Sequence, residues 1–591
     1  MYLMMTLFDY FKKHFRIIAC DSEFQPKDGE MPNVLCFVFK DIETNEIWRC
    51  ESKEDIETLP FDWNRTLLIV YNAVAEAKAL LAWDIPLPEY WVDCWVECKN
   101  LYQTGNVVAG QFTQLNMAKA LHVPQKYIMS VHDKETMRDL ILDNEKWSKQ
   151  QFVSILDYCE EDTVCLSHLF PRMCDAIESK FSDRKIEHLA AHMMVRGLAK
   201  AIEAEIYRNG IPVDMESYNK FQDKWPDVKK GFIEEKNKIL NVFSDGIFKT
   251  DLFEQMLRDE DLFIDWPKTK TGKCSQRDDV LKDYEEFNEK IKLLRAVKRL
   301  AASDRLKGFA IGKDGRSRAD QKFYYTVTGR AGPSSKEYPF VAPKWIRNFI
   351  KPPAGKILAY MDFSHQEPCI QAALSQDQNM LKAVEKDIYM YTAEQSGHLE
   401  GVTDTKAKKG VRKIFKVASL GMSYGMGDEA VGRQIKRSLT KAREVVLIIR
   451  TLYADYYKWV KNTIEMFKIK GQMTTRFGWC RSCKGVQNLN DRSLGNWPIQ
   501  SHGAEILYWT LINVRKAGFK IIGTVHDAIF VEFDISPNII LDVYKVRLIM
   551  ERCAKEVVGI NIGVDYELAL SNWTQEEEAG ELFKEIMEMI G

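Results

Sequence analysis

Asp21 and Glu23 stand two residues apart at the end of the apolar run RIIACDSEF, so on a strand both side chains leave the same face. Tyr158 and Asp162 stand four apart in KQQFVSILDYCEEDTVCLSHLF, a spacing that stacks them on one side of a helix. Between these pairs, YNAVAEAKALL carries Asn72 and Glu76. Each fragment alone is ordinary: acids end many strands, and a mid-helix Tyr/Asp pair is usually a surface pair. Together, Asp21, Glu23, Glu76 and Asp162 bring carboxylates from separate elements, a set that holds hard divalent cations through oxygen. Two such ions about 3.5–4 Å apart activate water and stabilise the leaving oxygen in phosphodiester hydrolysis. Asp93, in WVDCW, is a further acid and is read as structural.

A second group lies in the C-terminal half. The apolar strand KILAYMDFSHQEP delivers Asp362, with Glu367 five residues later. FKIIGTVHDAIFVEF reads as a hairpin with His526 and Asp527 at its tip. One strand-ending Asp is often a cap; two, each in a strongly apolar strand, read better as paired metal carboxylates. Between them, in KKGVRKIFKVASLGMSYGMG, Arg412, Lys416 and Leu420 form one helical stripe that ends at Tyr424-Gly425. The stripe is either the basic face of an amphipathic helix or a clamp for a triphosphate, whose oxygens Lys and Arg neutralise during transfer.

These residues need elements to hold them. At 591 residues the chain has room for about four domain-sized units. A hydrophobic fraction of 46% with 28% charged residues describes a folded protein and excludes disorder, collagen and coiled coil as the main theme. No apolar run reaches the ~18 residues of a membrane-spanning helix. The opening MYLMMTLFDYFKKHF carries its charge after its apolar part, the wrong order for a secretory signal. The 13 Cys lack the spacing of a disulfide scaffold and fit a reducing cytosol, and the CxxC at Cys480 and Cys483 has no further zinc ligands nearby. Net charge is −2, which gives no support for a polyanion partner. The bases are nevertheless clustered: ten between Lys290 and Arg318 against two acids, and six between Thr405 and Lys416 against none. Such stretches suit a cleft for a polyanion, although charge alone reads more simply as solvated helix faces.

Residues 14–175 read as mixed α/β, with strands at RIIACDSEF, VLCFVFKD, EIWRCES and LLIVYNA and a helix at AEAKALLAW. Helical periodicity dominates from Asp175 to about Leu306. Strands return from about Lys307, at KFYYTVTGR, KILAYMDF and FKIIGTVHDAIFVEF. A boundary is expected near 175–195.

The ordered set DxE, Asn followed by an acid, then YxxxD resembles the DEDD-type 3′–5′ proofreading exonucleases. On that resemblance Asp21, Glu23, Glu76 and Asp162 are metal ligands and Tyr158 orients the attacking water. Glu76 stands where that family usually has Asp, and Ala75 replaces an aromatic, which implies weaker proofreading. Asp362-Phe-Ser-x-x-Glu367, Arg412-xxx-Lys416-xxxx-Gly421-xx-Tyr424-Gly425 and His526-Asp527 resemble the three ordered motifs of family A DNA polymerases. Thr328-Gly329-Arg330, the spacing of Arg492, Asn496 and Gln500, and WPKTKTGKCS followed by Arg299-Leu300 agree with it in order.

The resemblance implies that Asp362 and Asp527 bind two catalytic Mg2+ ions, or Mn2+, as does the exonuclease set. Arg412 and Lys416 hold the triphosphate, Lys416 protonates pyrophosphate, and Tyr424 packs near the nascent pair. Glu367 excludes a 2′-hydroxyl, and Arg330 and Gln500 touch the minor groove near the primer end. Arg492, Asn496 and His526 complete the substrate set. Tyr389 replaces a phosphate-contacting His, Leu420 replaces Phe or Tyr, Ala528 replaces the Glu of HDE, and His365-Gln366 and Pro368-Cys369 replace the usual neighbours of the gate. These departures look like bacteriophage members of the family.

The implied fold is α/β (mixed α+β). A ribonuclease H-like DEDD exonuclease domain covers 1–180 and a right-hand polymerase domain covers 181–591, with thumb about 195–318, palm about 319–380 and 490–591, and fingers about 381–489. No 5′-nuclease domain and no processivity platform in the thumb are expected. The expected partners are primer-template DNA and dNTPs, with a helicase and a single-strand binding protein as replisome candidates. The chain is expected to be a monomer, off the membrane, in the cytoplasm of the host cell. The rival readings are a polymerase with weak or absent proofreading, one adapted to a modified-base genome such as 2-aminoadenine, and a nuclease whose polymerase module has decayed. Intact Asp362, Lys416 and Asp527 argue against the last, and the lack of large insertions argues against a lesion-bypass enzyme.

Overall fold

In the N-terminal region one mixed sheet of five strands has the order 47–50, 33–41, 16–25, 66–70, 91–93. Arg16–Gln25 pairs antiparallel with Asn33–Asp41 and parallel with Thr66–Val70. Ile17 to Cys20 have no exposed surface, as expected of a central strand covered on both faces. The register slips between Glu23 and Phe24 and resumes with Phe24 opposite Val34, so the ladder is irregular just past the acid pair. These are features of a computed structural model that describes residues 5–103, 111–269, 271–285, 287–301, 309–334, 337–341, 343–483, 489–575 and 577–591.

The helix Lys149–Lys180 starts at a capping box in which Ser148 and Gln151 satisfy each other's backbone N–H. Its first half packs Ile155, Leu156 and Cys159 against Leu35, Cys36 and Val38. Its second half joins Leu166, Leu169 and Phe170 to Ile17, Ala19, Leu67 and Ile69. The next helix, Ile186–Asn209, begins six residues on. It lies so close to the Trp91–Asp93 strand that a Cβ on Gly197 would sit 2.2 Å from the Trp91 carbonyl oxygen. Asp93 itself caps two helices: it accepts from Ala73 N at 2.8 Å and from Val96 N at 3.0 Å. That double cap fits its reading as structural.

The chain divides into two compact units, one of 1–209, 321–332 and 359–568, the other of 210–320, 333–358 and 569–591. In the first, a four-stranded sheet has the order 520–525, 528–534, 356–363, 564–569, and its outermost residues at 356–358 and 569 count with the second unit. Lys520–Val525 and Ala528–Asp534 form the expected antiparallel hairpin, with His526 in the left-handed region at the tip. The helix Asp491–Lys516 is buried on most of its surface, including Trp497, Tyr508 and Leu511.

The second unit is mainly helical, with one core around Phe253, Trp266, Leu294 and Val297 and another around Phe221, Trp345, Phe349 and Ile586. Of the basic stretch 290–318, residues 302–308 lie outside the described residues. Among the others, Arg295 is bound by Asp278 and Glu285, and Arg318 by Asp314. Part of that charge is therefore internal pairing. Among the described residues, no helix is long and apolar enough to cross a membrane.

KFYYTVTGR, expected as a strand, is instead a series of turns with Lys322 and Tyr324 in the left-handed region. Side chains take the place of a ladder. Glu203 accepts from Lys322 N and Phe323 N, and the Tyr508 hydroxyl accepts from Tyr324 N. Lys99 donates to the carbonyls of Tyr324 and Tyr325, Trp479 and Trp497 donate to Val327 O, and Tyr508 donates to Gly329 O. An aromatic, β-branched segment reads as strand from its residue types, and buried polar partners override that preference.

Two candidate carboxylate sites

Asp21 and Glu23 leave one face of the first strand, and ligand atoms of Asp21, Glu23 and Cys159 all lie within 4.8 Å of one another. Glu76 enters from the first turn of the helix Ala73–Ala82; it is 4% exposed, and its Oε2 has no hydrogen-bond partner. Asn72 caps that helix without a side-chain hydrogen bond. Burial pushes the Asp21 carboxyl up to about 8, aided by the Asp162 charge and opposed by Lys134. Burial also raises Glu23 and Glu76, with Asp21 the largest charge acting on each. Tyr158 lines the same cleft as Glu23, and burial raises its phenol. Asp162 is turned onto Lys134, whose Nζ donates to Oδ1 at 2.6 Å and Oδ2 at 2.8 Å. Crowded, proton-retaining carboxylates, one with an orphaned buried oxygen, are what a divalent cation relieves, so these residues fit one.

Asp362, at the end of the strand 356–363, is crowded by the Asp527 carboxylate from the hairpin tip. Burial first, and Asp527 second, push Asp362 up to about 7, and its Oδ1 has no partner. Burial raises Asp527 too, offset in part by a backbone hydrogen bond and by Arg330. This pair fits a divalent cation by the same chemistry. His526, beside it, is exposed, and Ala528 is fully buried.

Around the pair, Glu367 accepts from Arg330 Nη2 at 2.9 Å and from the Tyr424 hydroxyl at 3.2 Å. Gln500 lies near enough to the Tyr424 hydroxyl to oppose the rise that burial gives its phenol. A Cβ on Gly425, which has φ 76°, would fall 2.5 Å from Arg492 Cδ, so glycine lets the Arg492 stem lie against the turn. Arg492 is otherwise exposed, and Asn496, one turn on, is buried with Oδ1 unpartnered.

The helix Thr405–Ser423 carries the Arg412–Lys416–Leu420 stripe. Asp387, which caps the helix Ile388–Gln395, accepts from Arg412 Nε at 2.5 Å. The guanidinium also lies 5.4 Å from the centre of the Tyr389 ring, whose phenol burial pushes up to about 12. Lys416 is exposed. Leu420 is half-buried and lines a cavity with Glu367, Tyr389, Tyr453, Tyr456 and Tyr457.

Three partners escaped the sequence reading. Lys134 lies 28 residues from Asp162 with no motif to join them. Asp387 orders Arg412 from another helix. Ser364 donates to Asp565 on the neighbouring strand at 2.6 Å, and that acid adds to the rise at Asp362. Residue spacing carries no signal for any of them.

The comparisons agree with this architecture. DNA polymerase I of Aquifex aeolicus is 26% identical over 407 residues, 64% of this chain and 68% of that protein. DNA polymerase I of Borreliella burgdorferi is 26% identical over 436 residues, 69% of this chain and 46% of that protein. The thermostable DNA polymerase I of Thermus thermophilus is 26% identical over 309 residues, 48% of this chain and 36% of that protein. The chain thus aligns with between about a third and two thirds of the length of these relatives. Among solved structures, the POL domain of Pol1 from M. smegmatis, in complex with DNA primer-template and dNTP, shares the fold with a TM-score of 0.69 at 16% identity, covering 95% of this chain and 97% of that one. Residues 215–575, more than half of the sequence and including the Asp362–Asp527 pair with its basic helix, match DNA polymerase family A, and the chain belongs to that family.

Proposed function

We propose that this chain is a DNA-directed DNA polymerase that extends a primer on a DNA template from dNTPs and trims 3′ ends at its N-terminal site. The observation that carries the reading is the crowded Asp362–Asp527 carboxylate pair, brought together by the end of one strand and the tip of the hairpin beside it, in the same unit as a helix bearing Arg412 and Lys416. Asp362 and Asp527 would hold Mg2+ or Mn2+, two ions at this site. When bound, such ions activate the primer 3′-hydroxyl and neutralise the triphosphate.

The chain's own residues do the rest. Arg412 spends Nε on Asp387, which leaves its two terminal nitrogens for phosphoryl oxygens. Lys416 holds the same triphosphate and gives a proton to departing pyrophosphate. Tyr389 stands beside Arg412 and steadies its plane. Glu367, gripped by Tyr424 and Arg330, occupies the space of a 2′-hydroxyl. Arg330, Gln500 and Arg492 serve the primer-terminal base pair, where donors meet the N3 and O2 acceptors that every correct pair presents. Asn496 backs Gln500 from one turn away, and His526 lies at the primer end. Tyr424 and Leu420 flank the incoming base.

At the N-terminal site Asp21, Glu23, Glu76 and Asp162 hydrolyse the terminal phosphodiester, and Tyr158 orients the water. The sheet order 47–50, 33–41, 16–25, 66–70, 91–93 supports a ribonuclease H-like exonuclease there, with thumb, palm and fingers in the remainder. The departures at Leu420, Tyr389 and Ala528 favour a bacteriophage polymerase working in the host cytoplasm. Primer extension tests the reading: a labelled primer-template should lengthen with dNTPs and shorten without them. An inert primer under both conditions would sink it.

A further inference from the structure

We propose that Lys134 stands in for a second metal ion at the N-terminal site, which then takes one divalent cation on Asp21, Glu23 and Glu76. The inference deepens the exonuclease reading and rests on it. Lys134 sits on the helix Val131–Leu142, and its Nζ donates to both Asp162 oxygens and to Gln114 Oε1 at 3.3 Å. Gln114 in turn donates to the Asp162 carbonyl at 2.9 Å, so the carboxylate is fixed from its side chain and its backbone. The Asp162 side chain is 9% exposed and that of Lys134 24%. An ion pair so placed is costly to break, because either partner left alone is a poorly solvated charge.

The other acids lie beside this pair. Asp21 and Glu23 converge with Cys159, and Asp162, whose charge reaches Asp21, has both of its oxygens on Lys134. Glu76 keeps an unpartnered oxygen and feels Asp21 as its largest charge. The site thus pairs one carboxylate, Asp162, with a lysine and gathers three others, Asp21, Glu23 and Glu76, beside it. Lys134 also lines the cleft with Glu23, Phe24, Thr113, Leu115 and Tyr158, and its ammonium lies 5.9 Å from the centre of the Tyr158 ring. A non-bridging oxygen of a bound phosphodiester can displace the long 3.3 Å contact to Gln114 and take that hydrogen bond, which is charge neutralisation that a metal otherwise supplies. In the hydrolysis, water oxygen bonds to phosphorus, the bond from phosphorus to the 3′ oxygen breaks, and that oxygen gains the proton.

The test is a Mn2+ titration of the full chain followed by electron paramagnetic resonance, in an Asp527→Ala background that silences the other site. One tight ion is expected, lost in Asp21→Ala/Glu23→Ala. Lys134→Gln should add a second ion within about tenfold of the first in affinity, and Lys134→Arg should restore the count of one. Asp162→Asn should change affinity less than about threefold, since its charge belongs to Lys134. Two ions with Lys134 present, or a tenfold loss of affinity in Asp162→Asn, would overturn the proposal, and so would an unchanged count in a folded Lys134→Gln. If Lys134→Gln fails to fold, the Asp162→Asn arm still decides. The exonuclease reading is tested separately on single-stranded 3′ ends. It fails if digestion is absent or survives Asp21→Ala/Glu23→Ala, whatever the ion count.

Discussion

The Tyr424 hydroxyl lies 3.2 Å from both oxygens of the Glu367 carboxylate. Arg330 also holds this carboxylate, so Glu367 has little freedom to swing, as the proposed sugar gate requires. Glu367→Ala should lower discrimination against ribonucleotides at least tenfold, equivalent to roughly 1.4 kcal/mol in the transition state. Tyr424→Phe, which leaves the Arg330 contact, should lower it less. Single-turnover incorporation of UTP against dTTP reads both, and an unchanged ratio in Glu367→Ala would remove the gate from this residue.

Asp527→Ala should slow extension by orders of magnitude, because it removes one of two carboxylates from a site whose chemistry is charge stabilisation. The reciprocal change, Ala528→Glu, is expected to act on the fold. Ala528 has no exposed surface, and a carboxylate there is buried without a prepared partner. Its melting temperature should fall by several degrees, as read by thermal unfolding alongside primer extension.

Leu420 lines one cavity with Tyr389, Tyr453, Tyr456 and Tyr457. Leu420→Tyr should raise use of dideoxynucleotides at least tenfold if the side chain meets the nucleotide. Incorporation of ddTTP and dTTP, with melting temperatures on both proteins, is the measurement. A destabilised variant with an unchanged ratio would make Leu420 a packing residue only.

Metal removal should make stability pH-dependent in one direction. Asp21, pushed up to about 8, and Asp362, pushed up to about 7, bind protons more tightly in the folded state than in the unfolded chain. The unfolded chain then holds fewer protons between about pH 4 and 8, so stability falls as pH rises through that window. In chelator the melting temperature should drop from pH 5 to pH 8. Added Mg2+ should reverse most of the drop at pH 8 and little of it at pH 5. A flat profile in chelator would show that these carboxyls are not strained.

What could be read from the sequence was whatever repeats at a fixed spacing. Asp21 with Glu23, and Arg412 with Lys416 and Leu420, announce themselves because strand and helix periods put them on one face. The hairpin at His526-Asp527 was equally legible, being two apolar runs with a tip between them. Lys134 and Asp387 were not, since each meets its partner across helices that no local pattern relates. Segment 322–330 misled for the opposite reason. Its residue types are those of a strand, and its conformation is decided by Glu203, Lys99 and Tyr508 far away in the chain.

That last segment limits how the protein can be cut. Arg330 reaches Glu367 from a loop whose Tyr324 and Tyr325 carbonyls depend on the ammonium of Lys99, a residue only 1% exposed. A shortened protein starting after residue 180 keeps Glu203 and Tyr508 yet deprives both carbonyls of their donor, at about 1–3 kcal/mol for each that stays dry. Under the proposed function, point mutations should separate the two activities where scissors should not: excising the N-terminal region should loosen the loop that carries Arg330 to Glu367, and the surviving fragment should copy DNA with more ribonucleotides in its product.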